Sequence, residues 1–551
     1  MGSACRAVER PAFAVRVAGG ALEVFYDSVS EPRFEATLIG VSEVDWQLRV
    51  MSLGPKITEL WFPYEEVSTA IGADADDDVL YFPHLMGQAR RVASLDETKW
   101  DGRSYPGPCF APLVMIGDES KARMLAATNW PPRKVFVAYS RGRIGLRYDD
   151  FLAERSESTV SALVVTSEGG PGRPAWHAPL DKYRAHLDKG MTETGLYPIA
   201  YPEWMRELHG WQNVQLQNYR DEDLLSVLEK WKRYRAIFPW IQMWGQMSNL
   251  FPSPPQETGC CLQKQIVHDR YQSLLVDLKR EVRDGEHMGF YVRPGSPYED
   301  FIDKNGQRSK CFDFLTGWVA QNQRHGGNAH YLDVCGALDF GPPLRVAKMF
   351  GHELPRESVI EMPMDVYPAA FLVSGCLWGG SSCRTSPGQR PSDLSDKLAC
   401  VSYPRLGRYL LNDRMFFLGE SNGDHTSWGN SRGHEYWTER QAFLLGAKYD
   451  AMRVAEDEKH PERMNRALEL ILGERMRVGW WKLDPVYLDT AGLSDVPDGA
   501  EVRRFLAKNG DTLLAIDNWH PRTGRFRFKG TEIELPAEQI RIMVNPLEGG
   551  R

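Results

Sequence analysis

The first 195 residues alternate apolar and polar positions in short segments that Gly, Pro and Asp separate. Residues 21–26, 46–50 and 135–139 show this period-two pattern most clearly. Such alternation places one face of a strand in a core and the other in water, and turn residues between the segments are typical of antiparallel sheets. We therefore expect residues 1–195 to form an N-terminal β-sandwich.

From about residue 196 the pattern changes, and apolar runs of strand length alternate with stretches whose apolar residues recur at helical spacing. This order is typical of parallel β/α units. The predicted strands are residues 211–216, 237–244, 288–292, 330–334, 359–362, 398–403, 414–418 and 478–483. The predicted helices include 221–231, 270–283, 310–323, 344–350, 368–377, 435–452 and 461–473. We expect residues 196–491 to form a (β/α)₈ barrel of TIM type, a fold that takes about 250 residues.

Period-two alternation returns at the C-terminal end of the sequence. Its runs are residues 502–506, 512–516, 526–528, 533–535 and 540–543, with Gly-Asp and Lys-Gly turns between them. We expect residues 492–551 to form a small C-terminal β-sandwich. The chain is thus predicted to be a multidomain α+β protein with a barrel between two β domains.

Two carboxylates stand at the ends of neighbouring predicted barrel strands. Asp333 closes the run 329–333, and Glu361 closes the run 358–361, 28 positions later. A strand, a helix and the return to the next parallel strand take roughly 30 residues. Barrel enzymes keep their active sites at the carboxyl ends of the strands, so the two acids are expected at one active-site mouth.

Two acids in this arrangement are what glycoside hydrolysis uses, one to attack or stabilise the sugar cation and one to protonate the leaving oxygen. Each acid alone also fits a structural role. Asp333 could hold an Arg or Lys, and Glu361 could be an exposed loop residue.

Polar and aromatic residues follow the other predicted strands. Neutral amides, aromatic rings and a guanidinium suit the recognition of sugar hydroxyls. The segment 420–429, after the predicted seventh strand, is the densest polar cluster in the barrel region. A core position for Trp244 and a solvated turn at 420–429 are the structural alternatives. The candidate binding residues are Gln242, Trp244, Tyr291, Arg293, Asp424, His425 and Trp428.

Composition favours a neutral partner. The formal net charge is −8 without a long basic run, which argues against a nucleic acid or an anionic membrane surface. No stretch approaches the ~18 apolar residues of a membrane span, and the sequence as given begins with no apolar signal region, so we expect a cytoplasmic location. Aromatic residues make up 11% of the chain, with 17 Trp and 21 Tyr, as in proteins that stack sugars on rings. We expect a carbohydrate partner, no nucleic acid and no membrane, and the oligomeric state is not predicted.

The sequence carries no established cofactor motif. Its nine Cys residues show neither paired CxxC spacing nor the density of a disulfide scaffold. Motifs for zinc proteases, dinucleotides and phosphate loops are missing. A metal site of Asp333 with Asp424 and His425 is disfavoured, because scattered ligands define no geometry. We expect no cofactor, and structural calcium on the Asp-rich stretch 73–78 stays open.

Several motifs together resemble glycoside hydrolase family 129 and the related family 101. They are Trp61-Phe62-Pro63-Tyr64, Tyr81-Phe82-Pro83-His84 to Gly87, the Tyr105-Pro106-Gly107 turn, and the strands 330–333 and 359–361. The resemblance covers about residues 20–480. It implies a retaining α-N-acetylgalactosaminidase with a β-sandwich before a (β/α)₈ barrel, with Asp333 as nucleophile and Glu361 as acid/base. A complete N-acetyl-binding pocket has no match in this sequence.

The sequence therefore predicts a retaining, exo-acting glycosidase that cleaves α-glycosides of the α-N-acetylgalactosaminide or α-galactoside type. Carboxyl groups ~5 Å apart would give retention and ~6.5–9.5 Å inversion, and the sequence does not fix this distance. One alternative is a hydrolase like those of the α-galactosidase and α-glucosidase clans, whose acid comes from a later strand, for example Asp424. The other is a carbohydrate-binding protein that kept the scaffold without the chemistry.

Overall fold

The computed structural model describes residues 12–193 and 472–547 with short gaps, and between them mainly the strands of a barrel. The gaps in the first range are 42–43, 67–77, 85–86, 95–100, 106–108, 131, 141–142 and 171. Between 194 and 471 the described residues are 202–215, 229, 232, 235–236, 239–244, 280, 283–292, 327–332, 359–363, 375–378, 400–403, 405–412, 415–418, 440 and 443–451. The chain divides into two compact units, Met1–Thr194 with Gln389–Tyr403, and Gly195–Gly388 with Pro404–Arg551.

Strands dominate the described part of the chain. Those before residue 194 are β1 Phe13–Val17, β2 Leu22–Phe25, β3 Val29–Ser30, β4 Phe34–Val41, β5 Asp45–Ser52, β6 Ile57–Glu66, β7 Val79–Phe82, β8 Gln88–Arg91, β9 Asp101–Tyr105, β10 Leu113–Gly117, β11 Lys121–Ala127, β12 Val135–Ser140, β13 Arg143–Leu152 and β14 Glu157–Glu168, with a 3-10 turn at Val92–Ser94 and helix α1 at His177–Glu193. The later elements are α2 Glu203–Glu207, β15 Gly210–Gln215, β16 Trp240–Trp244, β17 His287–Val292, β18 Gly327–Leu332, β19 Val359–Pro363, β20 Gly375–Trp378, β21 Cys400–Ser402, α3 Arg405–Leu410, β22 Met415–Leu418, β23 Lys448–Ala451, α4 Trp480–Leu483, β24 Val486–Tyr487, β25 Leu493–Ser494, β26 Ala500–Leu506, β27 Thr512–Asn518, β28 Gly524–Phe528, β29 Thr531–Leu535 and β30 Gln539–Val544.

Two antiparallel sheets form the first unit. Six strands follow the order β2-β1-β6-β13-β12-β9, and nine follow β21-β8-β7-β10-β11-β14-β5-β4-β3. β5 alternates exposed and buried positions along most of its length, as the period-two pattern predicts. The sheets meet where β10 and β11 contact β12 and β13, and Arg123 of β11 donates two hydrogen bonds, of 2.6 and 2.7 Å, to Glu65 of β6. The prediction of an antiparallel β region before residue 195 is confirmed.

One edge of the nine-stranded sheet comes from much later in the chain. β21 pairs antiparallel with β8, with Cys400 opposite Arg90. Tyr403, the residue directly after β21, places its ring 5.5 Å from that of Tyr81 in β7. The prediction that residues 398–403 form a barrel strand is therefore wrong. Their apolar pattern indicates a strand, but such a pattern does not specify which sheet the strand joins.

Eight parallel strands close into a barrel in the second unit, in the order β15-β16-β17-β18-β19-β20-β22-β23. β23 pairs back to β15, which completes the closure. The first five predicted strands and the one at 414–418 are confirmed in this barrel. Residue 229 of the predicted helix 221–231 is helical, and in the predicted helix 270–283 residue 280 is helical while residue 283 is not. Most residues between the strands lie outside the described residues, so the (β/α)₈ assignment stays a prediction.

The sixth and eighth barrel strands correct the sequence prediction. β20 occupies the end of the predicted helix 368–377, and β23 occupies the end of the predicted helix 435–452. The predicted last strand, 478–483, is instead helical at α4. β20 and β23 have four residues each, and so short a run cannot show whether its period is that of a strand or a helix.

Two stacked antiparallel sheets form the C-terminal part of the second unit. They contain the strands expected within residues 492–551, and the short strand β24 joins them from before residue 492. One has the order β24-β26-β27-β30 and the other β25-β28-β29. Their shared apolar core contains Val502, Leu514, Phe526 and Leu535. The opposite face of the larger sheet is also covered, since Phe505 packs edge-on against Trp480 of α4 at 4.7 Å between ring centres.

The edge strand of the larger sheet, β30, is contacted by a helical segment at residues 472–478. The N–H of Ile542 in β30 donates to Glu474 Oε2 at 2.8 Å, and Arg477 donates to the carbonyl of Ile542 at 2.5 Å. Arg477 also donates to Glu474, at 2.7 Å. Side chains thus satisfy the backbone N–H and C=O of Ile542, which would otherwise be free to pair with another strand.

Gly446 is expected to be required at the turn before β23. Its φ is +64°, and an added Cβ would lie 2.7 Å from Phe505 Cε1. Gly446→Ala should therefore lower the free energy of unfolding by about 1–3 kcal/mol in urea denaturation. Gly473→Ala is the matched control, because Gly473 is helical and its added Cβ would meet nothing within 4 Å. The control should be stabilised by roughly 0.5–1 kcal/mol, and equal stability of the two variants would contradict the prediction.

Candidate active site

The strand register of the barrel aligns several candidate positions on neighbouring strands. Tyr331 of β18 is opposite Tyr291 of β17 on one side and Glu361 of β19 on the other. In the pairing of β16 with β17, Met243 is opposite Phe290, so the next position on each strand brings Trp244 to the level of Tyr291. Four adjacent strands thus carry one register row, which consists of Trp244, Tyr291, Tyr331 and Glu361.

This register row lies towards the carboxyl ends of its strands. Trp244 is the last residue of β16, and Tyr291 and Tyr331 are the next to last residues of β17 and β18. Glu361 is the third of the five residues of β19. Gln242 lies two positions before Trp244, opposite Asn213 and Gly289. The carboxyl ends of parallel barrel strands form the face that carries chemistry in enzymes of this architecture.

Asp333 follows Leu332, the last residue of β18, directly in the sequence. It lies outside the described residues. β18 and β19 are hydrogen-bonded neighbours, so the strand that precedes Asp333 is adjacent to the strand that carries Glu361. This adjacency was expected from the 28-residue spacing.

Four other candidates also lie outside the described residues. They are Arg293, Asp424, His425 and Trp428. Their assignment to sugar binding stays a prediction.

Tyr331 was not among the candidates from the sequence. It sits within an apolar run, where an aromatic residue is expected in a core. Its place between Tyr291 and Glu361 follows only from the strand register. Residue spacing within one segment does not give the register of one strand against the next.

The amino-terminal ends of the strands are filled by aromatic packing. Trp240, the first residue of β16, is buried and meets Trp204 edge-on at 5.8 Å between ring centres. Trp204 also stacks on His287, the first residue of β17, at 3.7 Å. Tight ring packing of this kind stabilises the barrel.

At the amino-terminal end of the barrel strands, the buried Lys448 ammonium group contacts a backbone carbonyl oxygen and an aromatic ring. Lys448, the first residue of β23, is fully buried, donates to the carbonyl of Leu208 and lies 3.7 Å from the centre of the Trp481 ring. Burial holds the pKa of Lys448 well below its usual range, and Arg475 lowers it further. Burial, with Lys448 and Arg475, also lowers the pKa of His209 to about 4, and its neutral Nδ1 accepts a 3.0 Å hydrogen bond from Trp481 Nε1. The described side chains at this end of the barrel thus serve packing.

The motifs behind the family resemblance form part of the core of the first unit. Trp61, Tyr81 and Tyr105 are buried, and Trp61 carries the Arg147 guanidinium 5.7 Å from its ring centre. Burial lowers the pKa of His84 to about 4, and Arg103 contributes to the shift. These residues therefore pack the interior of the first unit.

No group of three or more His, Cys, Asp or Glu side chains in the described part of the chain suits a metal ion. Residues 73–77 of the Asp-rich stretch lie outside it, so calcium binding is still a prediction. No helix within the described ranges is long and apolar enough to cross a membrane.

The overall fold is similar to that of the α-N-acetylgalactosaminidase NagBb from Bifidobacterium bifidum. The GalNAc complex of that enzyme aligns with a TM-score of 0.56 and 11% identity, over 96% of this chain and 94% of that chain. Its Gal-NHAc-DNJ complex gives a TM-score of 0.54 and 11% identity over 95% and 94%. The α-galactosidase I from Mortierella vinacea gives a TM-score of 0.36 and 8% identity over 61% and 96%, too low to support an argument. The sequence matches no protein-family model and no curated protein.

The chain and NagBb share a fold over nearly their whole lengths. The predicted resemblance to α-N-acetylgalactosaminidases is therefore confirmed at the level of the fold. An identity of 11% does not transfer the roles of single residues, because one fold can host different sites.

Proposed function

We propose that the protein is a glycoside hydrolase that cleaves α-glycosides on a (β/α)₈ barrel between two β-sandwich domains. The observation that carries the proposal is the adjacency of β18 and β19, because Asp333 directly follows β18 and Glu361 lies in β19. Two acids at one end of neighbouring strands suit attack on a sugar and protonation of its leaving group. The fold shared with an α-N-acetylgalactosaminidase agrees with this assignment.

In the proposed reaction Asp333 is the nucleophile. Its carboxylate forms an ester bond with the anomeric carbon while the bond to the glycosidic oxygen breaks, and Glu361 donates a proton to that oxygen. Glu361 then removes a proton from water, which attacks the anomeric carbon and releases Asp333. Two inversions give a product with the configuration of the substrate.

We propose the retaining form of this reaction, as the family resemblance implies. The carboxyl groups of retaining enzymes lie ~5 Å apart, and those of inverting enzymes ~6.5–9.5 Å apart.

We propose that the candidate binding residues hold the sugar around these two acids. The register row supports this for Trp244 and Tyr291 and adds Tyr331 as a further candidate. Aromatic rings provide flat apolar surfaces for sugars, and amides or guanidinium groups bind hydroxyls. The full set is Gln242, Trp244, Tyr291, Tyr331, Arg293, Asp424, His425 and Trp428.

A panel of 4-nitrophenyl α- and β-glycosides tests the substrate class. It should include the N-acetylgalactosaminide, galactoside and glucoside in both configurations. We expect release from an α-N-acetylgalactosaminide or an α-galactoside, with the α-anomer of the sugar appearing first by NMR. Saturable sugar binding without product would instead support a carbohydrate-binding protein, and first formation of the β-anomer would contradict retention.

Glu361→Gln tests the acid/base assignment. With a poor leaving group that needs protonation, we expect kcat/KM to fall about 10²–10⁴-fold. With an activated aryl glycoside the rate of the bond-breaking step should fall much less, because the phenolate leaves without a proton.

Asp424→Asn is the matched control for this experiment. If Asp424 binds sugar, the fall in kcat/KM caused by Asp424→Asn should be similar for both leaving groups. A leaving-group dependence that appears in Asp424→Asn and not in Glu361→Gln would favour the mechanism with a later-strand acid.

A further inference from the structure

A series of buried charges crosses one face of the larger C-terminal sheet and reaches helical segments of the second unit. Arg405 of α3 pairs with Asp489 at 2.6 Å, and Asp489 lies 3.6 Å from Arg503 of β26. Arg503 donates to Glu501, its neighbour on the same face of β26. These contacts connect α3 with the middle of the sheet.

A second pair of charges continues the series. Asp517 of β27 is directly opposite Glu501 in the antiparallel register. Arg440, in another helical segment, donates to Asp517 Oδ1. Arg440 thus links the sheet to the barrel region of the second unit at a point separate from the Arg405–Asp489 pair.

Glu501 and Asp517 form an unfavourable pair of carboxylates. Their exposed fractions are 2% and 0%, and directly opposed residues bring their Cβ atoms within about 4.5–5.5 Å. Two anions so close and so poorly solvated repel each other. Asp517 Oδ2 is buried and accepts no hydrogen bond from the residues that the structure describes.

We propose that Asp517 is a proton-controlled contact, in which a proton on Oδ2 removes the repulsion from Glu501 and stabilises the pairing of β26 with β27. Oδ1 stays available to accept the hydrogen bond from Arg440. Among the residues that the structure describes, the charged groups at Asp517 are Glu501 of β26, with Arg503 two positions further along the same face, and Arg440 of the helical segment. On β30 the residue opposite Asp517 is the uncharged Ile540.

The direction of the pH effect follows from the buried position. Burial raises the pKa of Asp517 from 3.8 to about 7, Arg440 opposes this shift and Glu501 adds to it. Because the folded state binds the proton more tightly, the stabilisation is complete below the unfolded pKa, about 4. It is lost as the pH rises through about 7. From pH 5 to pH 8 the folding equilibrium constant should fall roughly 50- to 100-fold through this group.

Urea denaturation of the full chain at pH 5 and pH 8 tests the proposal with Asp517→Asn. Asparagine is neutral at both values, so the variant should lack this part of the pH dependence. The ratio of the variant's folding equilibrium constant to that of wild type should be about 50- to 100-fold larger at pH 8 than at pH 5. Amide hydrogen exchange in β26 and β27, compared with wild type at equal pH, should show the same change.

Two further variants keep the proposal testable if Asp517→Asn does not fold. Glu501→Gln removes the repelling charge and should weaken the pH dependence, while the exposed Glu532→Gln should leave it as in wild type. An unchanged pH dependence in Glu501→Gln would overturn the proposal. The proposal would also be overturned if Asp517→Asn folds and its stability changes by the same amount at pH 5 and pH 8. That result is expected of an ion pair that stays charged at both pH values.

Discussion

Replacement of Asp333 by asparagine is expected to remove nearly all turnover of the accepted α-glycoside. The amide is isosteric with the carboxylate but does not form the ester with the anomeric carbon, so kcat/KM should fall by about 10⁴-fold or more. The measurement is the release of 4-nitrophenol by wild type and variant side by side. Circular dichroism and the thermal midpoint should match those of wild type, because the change is one of charge and chemistry rather than of size.

Two additions separate a nucleophile from a structural carboxylate. Asp498→Asn, the same substitution at an exposed turn of the C-terminal region, should keep wild-type activity. Asp333→Ala supplied with azide should recover turnover and form a β-glycosyl azide from an α-glycoside, because azide replaces the missing nucleophile in a single inversion. Full activity of Asp333→Asn would contradict the proposed mechanism.

The strands of the barrel were predictable where polar or turn-forming residues bound the run on both sides. Residues 288–292 and 359–362 stand out against polar flanks, and both became barrel strands close to the predicted bounds. β23 starts with Lys448, and its four residues follow directly on a helical pattern. A buried lysine at a strand start contradicts the usual rule for core positions, so no sequence pattern pointed to the closing strand.

The candidate site was predictable as a pair of acids on neighbouring strands, but its register was not. The 28-residue spacing placed Asp333 and Glu361 one βα step apart, and β18 and β19 are indeed neighbours. The level of Tyr331 between Tyr291 and Glu361 depends on hydrogen bonds between strands. Those are set by barrel closure, which couples all eight strands and cannot be inferred from one segment.

The buried charges of the C-terminal sheet show a different limit of sequence reasoning. Alternation in β26 suggests a strand with one wet face, which would place Arg503 in water. In the structure Arg503 is buried because the second face of the sheet is also covered, by helical segments of the same unit. A charged residue at an alternating position thus signals a wet surface only when nothing packs on that face.

Asp489→Asn is expected to cause the largest loss of stability among single substitutions in the C-terminal region. Asp489 is fully buried, accepts hydrogen bonds of 2.8 and 2.6 Å from Arg405 and one of 2.8 Å from the Tyr487 hydroxyl. Removing its charge leaves the buried Arg405 without an anion at this position, at a cost of about 3–5 kcal/mol. Asparagine is the right replacement because φ at this position is +55°, a conformation that Asp and Asn tolerate best.

Urea denaturation at pH 7, with Glu532→Gln as the control, measures this cost. Glu532 pairs with Arg525 at 2.8 Å, but the side chain is 53% exposed, so water screens the pair and its loss should cost less than about 1 kcal/mol. The contrast tests whether burial, rather than the presence of an ion pair, determines the energy. If both variants lose the same small amount of unfolding free energy, the attraction between Arg405 and Asp489 only offsets the cost of removing both charges from water. The C-terminal region would then be stabilised mainly by apolar packing such as that of Phe505 on Trp480.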